Sequence, residues 1–277
     1  MPAPSDVPLR PMTLGELLDA AMSLLRQRAL PLLGLAASLA VAEQALLAPL
    51  RAAAGLRAPF YGPADGFGDW WLVTSVGFAT EAAVITVLGG YAAAAAGPAL
   101  LGLPVTHRAL WRRVRPGATL TAAVLVGAAA GAGAALGFVP WLFVQALLGL
   151  TAPALVLDRV RGPFTALGRS AALSVRSGMR AGWIRLAGYL TWLSVRFAVG
   201  AGWTAVASPL TGERPGWQPW VVAVAWLLAD VLAYSALACL DAVLHVETRI
   251  RTEGLDIAVN RVRSRGGDGA GALVYVP

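Results

Sequence analysis

Hydrophobic and polar positions alternate at helical spacing from residue 13 to residue 28, and a long apolar run follows directly. Leucine and alanine recur every three or four residues in TLGELLDAAMSLLRQR, while acidic, amide and arginine residues take the other side. Thr13 followed by Glu16 is a capping-box pattern, which predicts that the helix begins there. Residues 29–50 then supply the roughly 20 apolar residues that a bilayer-spanning helix needs. The pattern predicts a helix at the membrane surface that leads into a helix crossing the membrane.

Five further apolar stretches follow, separated by charged or glycine- and proline-rich segments. Together with residues 29–50 they are predicted to be transmembrane spans, at 70–95, 118–137, 139–157, 181–208 and 220–245. Two separating segments, 103–117 and 158–180, carry arginine on one helical face and apolar residues on another. They predict two more amphipathic surface helices. We therefore predict an all-α, polytopic membrane protein with about six transmembrane helices and three amphipathic helices on the cytoplasmic surface.

These elements predict a weak internal repeat, in which each of three units is a surface helix followed by a two-helix hairpin. Residues 165–168, TALG, echo residues 12–15, MTLG, at the start of the third and first units. We expect one integral membrane domain over residues 1–263 and a flexible C-terminal tail over residues 264–277.

Arginine is concentrated in alternate connections along the chain. The N-terminal segment, residues 103–117, residues 158–180 and the C-terminal tail carry most of it, whereas the other connections hold Arg51, Arg57 and Arg214. By the positive-inside rule, both termini are predicted to be cytoplasmic. The chain has no lysine and is rich in alanine and glycine, which favours a GC-rich bacterial genome and a bacterial cytoplasmic membrane. No cleavable signal peptide is evident at the N-terminus.

Composition excludes several other classes of protein. The chain is 57% hydrophobic and 13% charged, with a mean hydropathy of +0.66, whereas a soluble domain carries roughly 25% charged residues. The net charge of +7 raises a nucleic-acid-binding alternative, but the arginines flank apolar segments as membrane topology requires. Cys239 is the single cysteine, so neither an intramolecular disulfide nor a cysteine metal site is expected. His107 and His245 fall on different predicted elements, so we predict no metal and no cofactor.

The sequence shows no catalytic constellation. A phosphate-binding loop is one interpretation of Gly127, Gly131, Gly133 and Gly137, but no strand precedes them and no lysine follows. Two of these pairs instead have the small-xxx-small spacing that lets transmembrane helices approach closely. No Gly-x-Ser-x-Gly motif occurs, and no soluble stretch carries paired acidic residues. We predict that the protein is not an enzyme.

Ionisable residues inside the predicted spans are the main candidates for function. They are Glu43, Glu81, Arg196, Asp230 and, nearer the cytoplasmic end, Asp241. An ionised side chain that faces lipid has a high free-energy cost, so each of these residues is expected to face the protein interior or water. Glu81, Arg196 and Asp230 lie at similar depth, which predicts a buried triad. Such a triad is either a site for a proton, ion or polar substrate, or an ion pair that selects which helices pack together, and the second interpretation is favoured.

Arginines of the second and third surface helices are candidates for contacts with the inner leaflet or with a partner. They are Arg108, Arg112, Arg115, Arg169, Arg176 and Arg180. Each arginine near an anionic leaflet contributes about 1 kcal/mol of attraction. The predicted partners are therefore the lipid bilayer with its anionic inner leaflet and an unidentified membrane or cytoplasmic protein, with no nucleic acid.

Three motifs resemble a known family. LRPMTLGELLDAAMSLLRQ (9–27), APALVLDRVRGPFTALGRS (152–170) and HVETRIRTEGLDIA (245–258) are similar to actinobacterial proteins usually labelled glycerophosphoryl diester phosphodiesterase membrane-domain proteins. In some relatives the membrane region precedes a catalytic phosphodiesterase barrel, which these residues do not include. The resemblance therefore implies a six-helix membrane module without phosphodiesterase activity, and it brings no catalytic residues. Where the family has an aromatic residue before its acidic-Arg-x-Arg stretch, this chain has His245.

Two functions from different classes compete. The leading hypothesis is a non-enzymatic scaffold or partner subunit of a bacterial cell-envelope complex, because the recurring motifs cluster at the predicted cytoplasmic edge. The alternative is a transporter or channel component that uses the Glu81, Arg196 and Asp230 cluster. The alternative predicts a water-accessible cavity that reaches those side chains. A membrane-bound lipid-processing enzyme would need polar residues clustered at the bilayer surface, and the sequence shows none.

Overall fold

The structure, a computed structural model, describes residues 8–56, 62, 66–103, 105–211 and 218–274, and it describes only the backbone of residues 200, 201, 203–211, 218 and 219. Helix accounts for 84% of the structure, and the described residues contain no strand. The helices are α1 (Leu14–Gln27), α2 (Ala29–Ala53), α3 (Phe67–Leu101), α4 (His107–Arg113), α5 (Pro116–Ala135), α6 (Val139–Leu148), α7 (Thr151–Val156), α8 (Pro163–Arg176), α9 (Arg180–Thr211), α10 (Gln218–Glu253) and α11 (Leu255–Ser264), followed by a 3₁₀ turn, Ala270–Leu273.

Five segments of the described chain are long and apolar enough to cross a bilayer: α2, α3, α5, α6 with α7, and α10. The coarse prediction of an all-helical protein with several membrane-spanning helices is therefore supported. The predicted fifth span corresponds to α9, which is 32 residues long. Many of its side chains lie outside the described set, so the count of six spans stays a prediction. Helix ends differ from the predicted bounds, since α3 covers Phe67–Leu101 rather than 70–95.

The predicted span 139–157 is two helices rather than one. α6 ends at Leu148 and α7 begins at Thr151, so the helix is interrupted at Gly149 and Leu150. A Cβ on Gly149 would overlap the buried side chain of Arg185 on α9. The sequence therefore needs glycine at this position because a large charged side chain passes against the backbone there.

The middle of the molecule is formed by α3 and α10, which pack against each other and against most other helices. α3 also packs along α5. A Cβ on Gly127 would lie 2.7 Å from the Ala79 carbonyl oxygen, and one on Gly131 would lie 2.8 Å from the Ala79 Cβ. The predicted small-xxx-small contact is therefore confirmed for this pair, which brings α5 close to the backbone of α3.

Four of the short helices lie on one side of the molecule. Short connections make consecutive long helices antiparallel, so α1, α4, α8 and α11 share the side that we call the arginine side. The opposite side, which we call the loop side, holds the ends of α2, α5 and α9 and the starts of α3, α6 and α10. The order of elements follows the three predicted units of a short helix and a hairpin. The assignment of the arginine side to the cytoplasm stays a prediction.

The start of α1 was predicted correctly. Thr13 Oγ1 accepts a hydrogen bond from the Glu16 backbone N–H at 3.4 Å, and the Glu16 carboxylate accepts one from the Thr13 N–H at 2.8 Å. Arg10 adds an ion pair to Glu16 at 2.5 Å. Hydrogen bonds from Arg10 and Thr13 lower the pKa of this exposed carboxyl to about 2. The capping box therefore keeps its charge at neutral pH.

The C-terminal region departs from the prediction. α10 runs to Glu253, Gly254 breaks the helix with a positive φ of 62°, and α11 follows. Residues 264–274 belong to the expected flexible tail, yet Leu273 is only 9% exposed. Arg249 Nη1 donates to the Leu273 carbonyl oxygen at 2.6 Å. The described part of the tail therefore folds back onto the protein because a buried arginine holds it.

Candidate functional site

A buried ion-pair triad joins three long helices near the middle of the molecule. Arg196 Nη1 on α9 lies 2.7 Å from Glu81 Oε1 on α3, and Arg196 Nε lies 2.7 Å from Asp230 Oδ1 on α10. All three side chains are largely buried, with the arginine side chain 11% exposed. The structure therefore brings together the three residues that the sequence placed at similar depth. One guanidinium pairs with two carboxylates, so its positive charge compensates half of their combined negative charge.

Glu43 on α2 extends the triad through hydroxyl groups. Thr80 Oγ1 donates to Glu43 Oε1 at 2.6 Å, and the Tyr234 hydroxyl donates to Glu43 Oε2 at 2.9 Å. Arg196 Nη2 reaches the Tyr234 oxygen at 3.4 Å, and the guanidinium lies 5.2 Å from the centre of the Tyr234 ring. Among the ion pairs of the described residues, none involves Glu43. We call Glu43, Thr80, Glu81, Arg196, Asp230 and Tyr234 the mid-membrane cluster.

A chain of polar contacts leads from this cluster toward the loop side. Gln44 Nε2 donates to Asp230 Oδ2 at 3.3 Å, and Arg51 Nη1 donates to Gln44 Oε1 at 2.6 Å. Arg51 is in the last turn of α2, so it stands at the loop-side end of that helix. The polar path therefore connects the buried triad to the end of the helix bundle.

A cavity of about 340 Å³ lies against these residues, between α2, α3, α9 and α10. Its polar lining includes Glu43, Gln44, Arg51, Glu81, Arg196 and Asp230. Its aromatic lining includes Trp70, Phe78, Phe138, Phe197, Trp226 and Tyr234. Concave sites of this size with mostly apolar walls and a few convergent polar groups are typical of small-molecule binding. Trp226 Nε1 is buried and has no hydrogen-bond partner among the described residues.

Asp241 was predicted as part of the same intramembrane cluster, and the structure places it elsewhere. Arg185 Nε lies 2.9 Å from Asp241 Oδ1, and Arg185 Nη1 donates to the Gln145 carbonyl oxygen at 3.0 Å. Arg185 is only 4% exposed. Asp241 follows Asp230 by about three helical turns on α10, toward the arginine side. This pair therefore forms a separate charged layer, and it is not part of the cavity lining.

A second polar network lies at the arginine side around Asp158, just after α7. Its carboxylate lies 2.8 Å from Arg169 Nε, 2.9 Å from Arg249 Nη1 and 2.8 Å from His245 Nε2. Glu253 pairs with Arg169 and Arg249 in turn. Burial by itself raises the pKa of Asp158, but the charge and hydrogen bond of His245 and the two arginines outweigh it and lower the pKa to about 2. We call Asp158, Arg169, His245, Arg249 and Glu253 the Asp158 network.

Contacts at the arginine side change the interpretation of three arginines that were predicted to face lipid or a partner. Arg169 is 6% exposed and held by Asp158 and Glu253. Arg180 Nη1 pairs with Glu247 at 2.8 Å, and Arg115 Nη1 donates to the Val160 carbonyl oxygen at 2.6 Å. These three residues hold the protein's own elements together. Helical periodicity within each segment could group its arginines on one face but could not show that acidic residues and carbonyl groups from other segments lie beneath them.

The remaining candidates on the arginine side are exposed. Arg108 and Arg112 on α4 are both exposed to solvent. Arg176 on α8 has a side chain 60% exposed and lies 3.9 Å from Glu253.

His107, one of the two histidines, contacts a tyrosine: its Nδ1 lies 3.1 Å from the Tyr91 hydroxyl. Among the described residues, no group of three or more His, Cys, Asp and Glu side chains is placed to hold a metal ion.

Sequence reasoning missed several members of the mid-membrane cluster. Thr80 precedes Glu81, and Gln44 follows Glu43, so proximity in sequence to a buried charge was one available signal. Tyr234 follows Asp230 by four residues and therefore shares its helical face. Polar side chains one turn away from an intramembrane charge are thus natural candidates for its hydrogen-bond partners.

Comparisons with protein-family models, curated proteins and solved structures gave no match to this chain. The resemblance to the phosphodiesterase membrane-domain family therefore stays a prediction from the three motifs.

Proposed function

We propose that the protein is a membrane transporter or channel component that binds a small solute at the mid-membrane cluster. The observation that carries this proposal is the cavity, because its lining includes Glu81, Arg196 and Asp230. A triad that served only to hold helices together would be expected to sit in a dry, sealed core. Intramembrane ionisable groups that face a cavity mark substrate or ion pathways in membrane proteins.

The direction of entry follows from the residues that line the cavity. Arg51 and Trp70 are near the loop-side ends of α2 and α3, whereas Glu81 and Arg196 are deeper. A solute would therefore enter from the loop side and meet the carboxylates at the bottom of the cavity. The Trp226 indole N–H would gain a hydrogen-bond partner from a solute that carries an acceptor.

The opposite end of the path is closed by packed side chains. Arg185, Asp241 and Gln145 form the next charged layer toward the arginine side, and none of them lines the cavity. The described residues support a state in which the cavity extends toward the loop side and ends before the Arg185–Asp241 pair. Passage of a solute would require this second layer to separate, as in alternating access.

Cysteine accessibility tests whether the cavity is open to water. With Cys239→Ala as the background, Thr74→Cys places a thiol in the cavity lining, two helical turns from Glu81. We expect membrane-impermeant methanethiosulfonate reagents added from the loop side to modify this thiol, because water and charged solutes reach it. Leu88→Cys on the same helix is the matched control, since Leu88 is 0% exposed and outside the lining. Equal protection of both thiols in folded protein would contradict the proposal.

A second candidate function, a non-enzymatic scaffold in a cell-envelope complex, is favoured by the exposed arginines of α4. Arg108 and Arg112 form no ion pair with any described residue, so they are available to a partner or to anionic lipid.

Charge reversal at both positions is expected to abolish stoichiometric recovery of a partner in a pull-down from native membranes. Reversal at Arg26, an exposed arginine on α1, is the control. Recovery of this chain alone from the parent protein would exclude this candidate.

We further propose that the chain resides in a bacterial cytoplasmic membrane with both termini in the cytoplasm. The positive-inside pattern supports this orientation, since the arginine side carries α4, α8 and α11 with their arginines. The loop side would then face the cell exterior. The solute would accordingly enter the cavity from outside the cell.

A further inference from the structure

We propose that the cavity selects an organic cation with an apolar body, a conclusion that rests on the proposed solute-binding function. The juxtaposition that carries it is a surplus of carboxylates among aromatic rings. Glu43, Glu81 and Asp230 line the cavity together with two arginines, Arg51 and Arg196. Formal charges of the described lining residues therefore sum to one negative charge when all five groups are ionised.

Glu43 is the carboxylate that a cationic solute would meet. Its oxygens accept hydrogen bonds from the hydroxyls of Thr80 and Tyr234, at 2.6 and 2.9 Å. Neither donor carries a charge, and no ion pair of the described residues includes Glu43, which is only 5% exposed. A buried carboxylate with neutral partners gains most from a cation, because its charge is otherwise compensated only by dipoles.

Arg196 does not provide a matching site for an anion. Its guanidinium donates a hydrogen bond to Glu81 at 2.7 Å and reaches the Tyr234 oxygen at 3.4 Å. Its Nε lies 2.7 Å from Asp230 Oδ1 in an ion pair that lacks hydrogen-bond geometry. An anionic solute would have to displace one of these carboxylates and would then face Glu43 as well. Electrostatic complementarity therefore favours a cation.

The aromatic lining fits the rest of such a solute. Trp70, Phe78, Phe197 and Trp226 offer ring faces and edges around the carboxylates. Cations bind to aromatic faces, and recognition of quaternary ammonium groups commonly uses rings of this kind. The cavity already contains one such contact, because the Arg196 guanidinium lies 5.2 Å from the Tyr234 ring centre. The rings and the carboxylate together complement a solute that has an ammonium group and an apolar body.

Binding of two probes of opposite charge tests this inference. Benzyltrimethylammonium and benzylsulfonate share an apolar body, and their binding to the purified protein in nanodiscs can be measured by calorimetry. We expect the cation to bind and the anion not to bind. Glu43→Gln keeps a hydrogen-bonding side chain of the same shape and is expected to weaken cation binding by about tenfold. Asp69→Asn removes an exposed carboxylate near the cavity but outside its lining, and it is expected to leave the affinity unchanged within about twofold.

The possible outcomes distinguish a failure of cation selectivity from a failure of the proposed solute-binding function. Preferential binding of benzylsulfonate, or equal loss of affinity in Glu43→Gln and Asp69→Asn, would overturn cation selectivity and leave a solute site intact. Binding of neither probe would also overturn it, while modification of the Thr74→Cys thiol would still support a solute-accessible cavity. Comparison of the two probes on the parent protein requires no variant. It therefore tests selectivity for a cation even if Glu43→Gln does not fold.

Discussion

Replacing Asp158 with asparagine is expected to lower the free energy of unfolding by about 3–5 kcal/mol. The carboxylate is fully buried and lies within 2.9 Å of His245, Arg169 and Arg249. Its removal leaves two buried guanidinium groups with one shared counter-ion, Glu253. An isosteric amide keeps the volume of the side chain, so the loss reports charge and not packing. Chemical denaturation in detergent micelles, followed by tryptophan fluorescence, measures it.

Arg176→Gln is the matched control for the arginines that surround Asp158. Arg176 and Arg169 are on the same helix and were predicted to have the same role, but Arg176 has a side chain 60% exposed and lies 3.9 Å from Glu253. We expect Arg176→Gln to change stability by less than about 1 kcal/mol and Arg169→Gln to cost several times more. Equal effects of the two substitutions would contradict the buried network.

The Asp158 network also predicts a pH dependence with a definite sign. The pKa of Asp158 is lowered from its usual 3.8 to about 2. Because the folded-state pKa is below the unfolded value, the stabilisation is complete above about pH 4 and is lost as the pH falls toward 2. The parent protein is therefore expected to lose stability over this window, and Asp158→Asn is expected to lose less. Parallel curves for the two proteins would contradict this assignment.

Replacing Arg196 with glutamine is the second substitution with a large expected effect. It leaves Glu81 and Asp230 buried near each other without their shared cation, and we expect a loss of about 3–5 kcal/mol of stability. Neutral replacement of the whole triad, Glu81→Leu with Arg196→Met and Asp230→Leu, removes all three charges together. Buried ion pairs replaced completely by apolar side chains of similar volume often retain or gain stability. The triple variant is therefore expected to recover most of what Arg196→Gln loses, as measured by thermal unfolding in detergent.

The sequence alone was sufficient to predict the features that depend on the lipid environment. Apolar runs of bilayer length predicted the long helices, and the cost of an intramembrane charge predicted that Glu81, Arg196 and Asp230 would meet. The cap at Thr13 depended only on residues three apart, so local pattern was enough to predict it. Close approach of α5 to α3 followed from the glycine spacing.

Other features depended on contacts between elements that are distant in the chain. The burial of Arg169 requires a carboxylate from the segment after α7 and another from the end of α10, which no helical periodicity reveals. The pairing of Arg185 with Asp241 depends on space at Gly149, in a different helix. Arg249 likewise binds the Leu273 carbonyl and draws the expected tail onto the protein. In each case the partner lies in a different segment of the chain, so the pattern of the arginine's own segment does not reveal it.

The proposed function requires that the triad of Glu81, Arg196 and Asp230 acts on a solute and is more than a contact between helices. Solid-supported membrane recordings of reconstituted parent protein and the Glu81→Leu, Arg196→Met, Asp230→Leu variant test it most directly, with benzyltrimethylammonium, benzylsulfonate and neutral benzyl alcohol as probes. We expect charge displacement on cation addition to the parent and much less with the triple variant, although the two proteins unfold at similar temperatures. Equal displacement by both proteins, or none above that of empty liposomes for any probe, would contradict it.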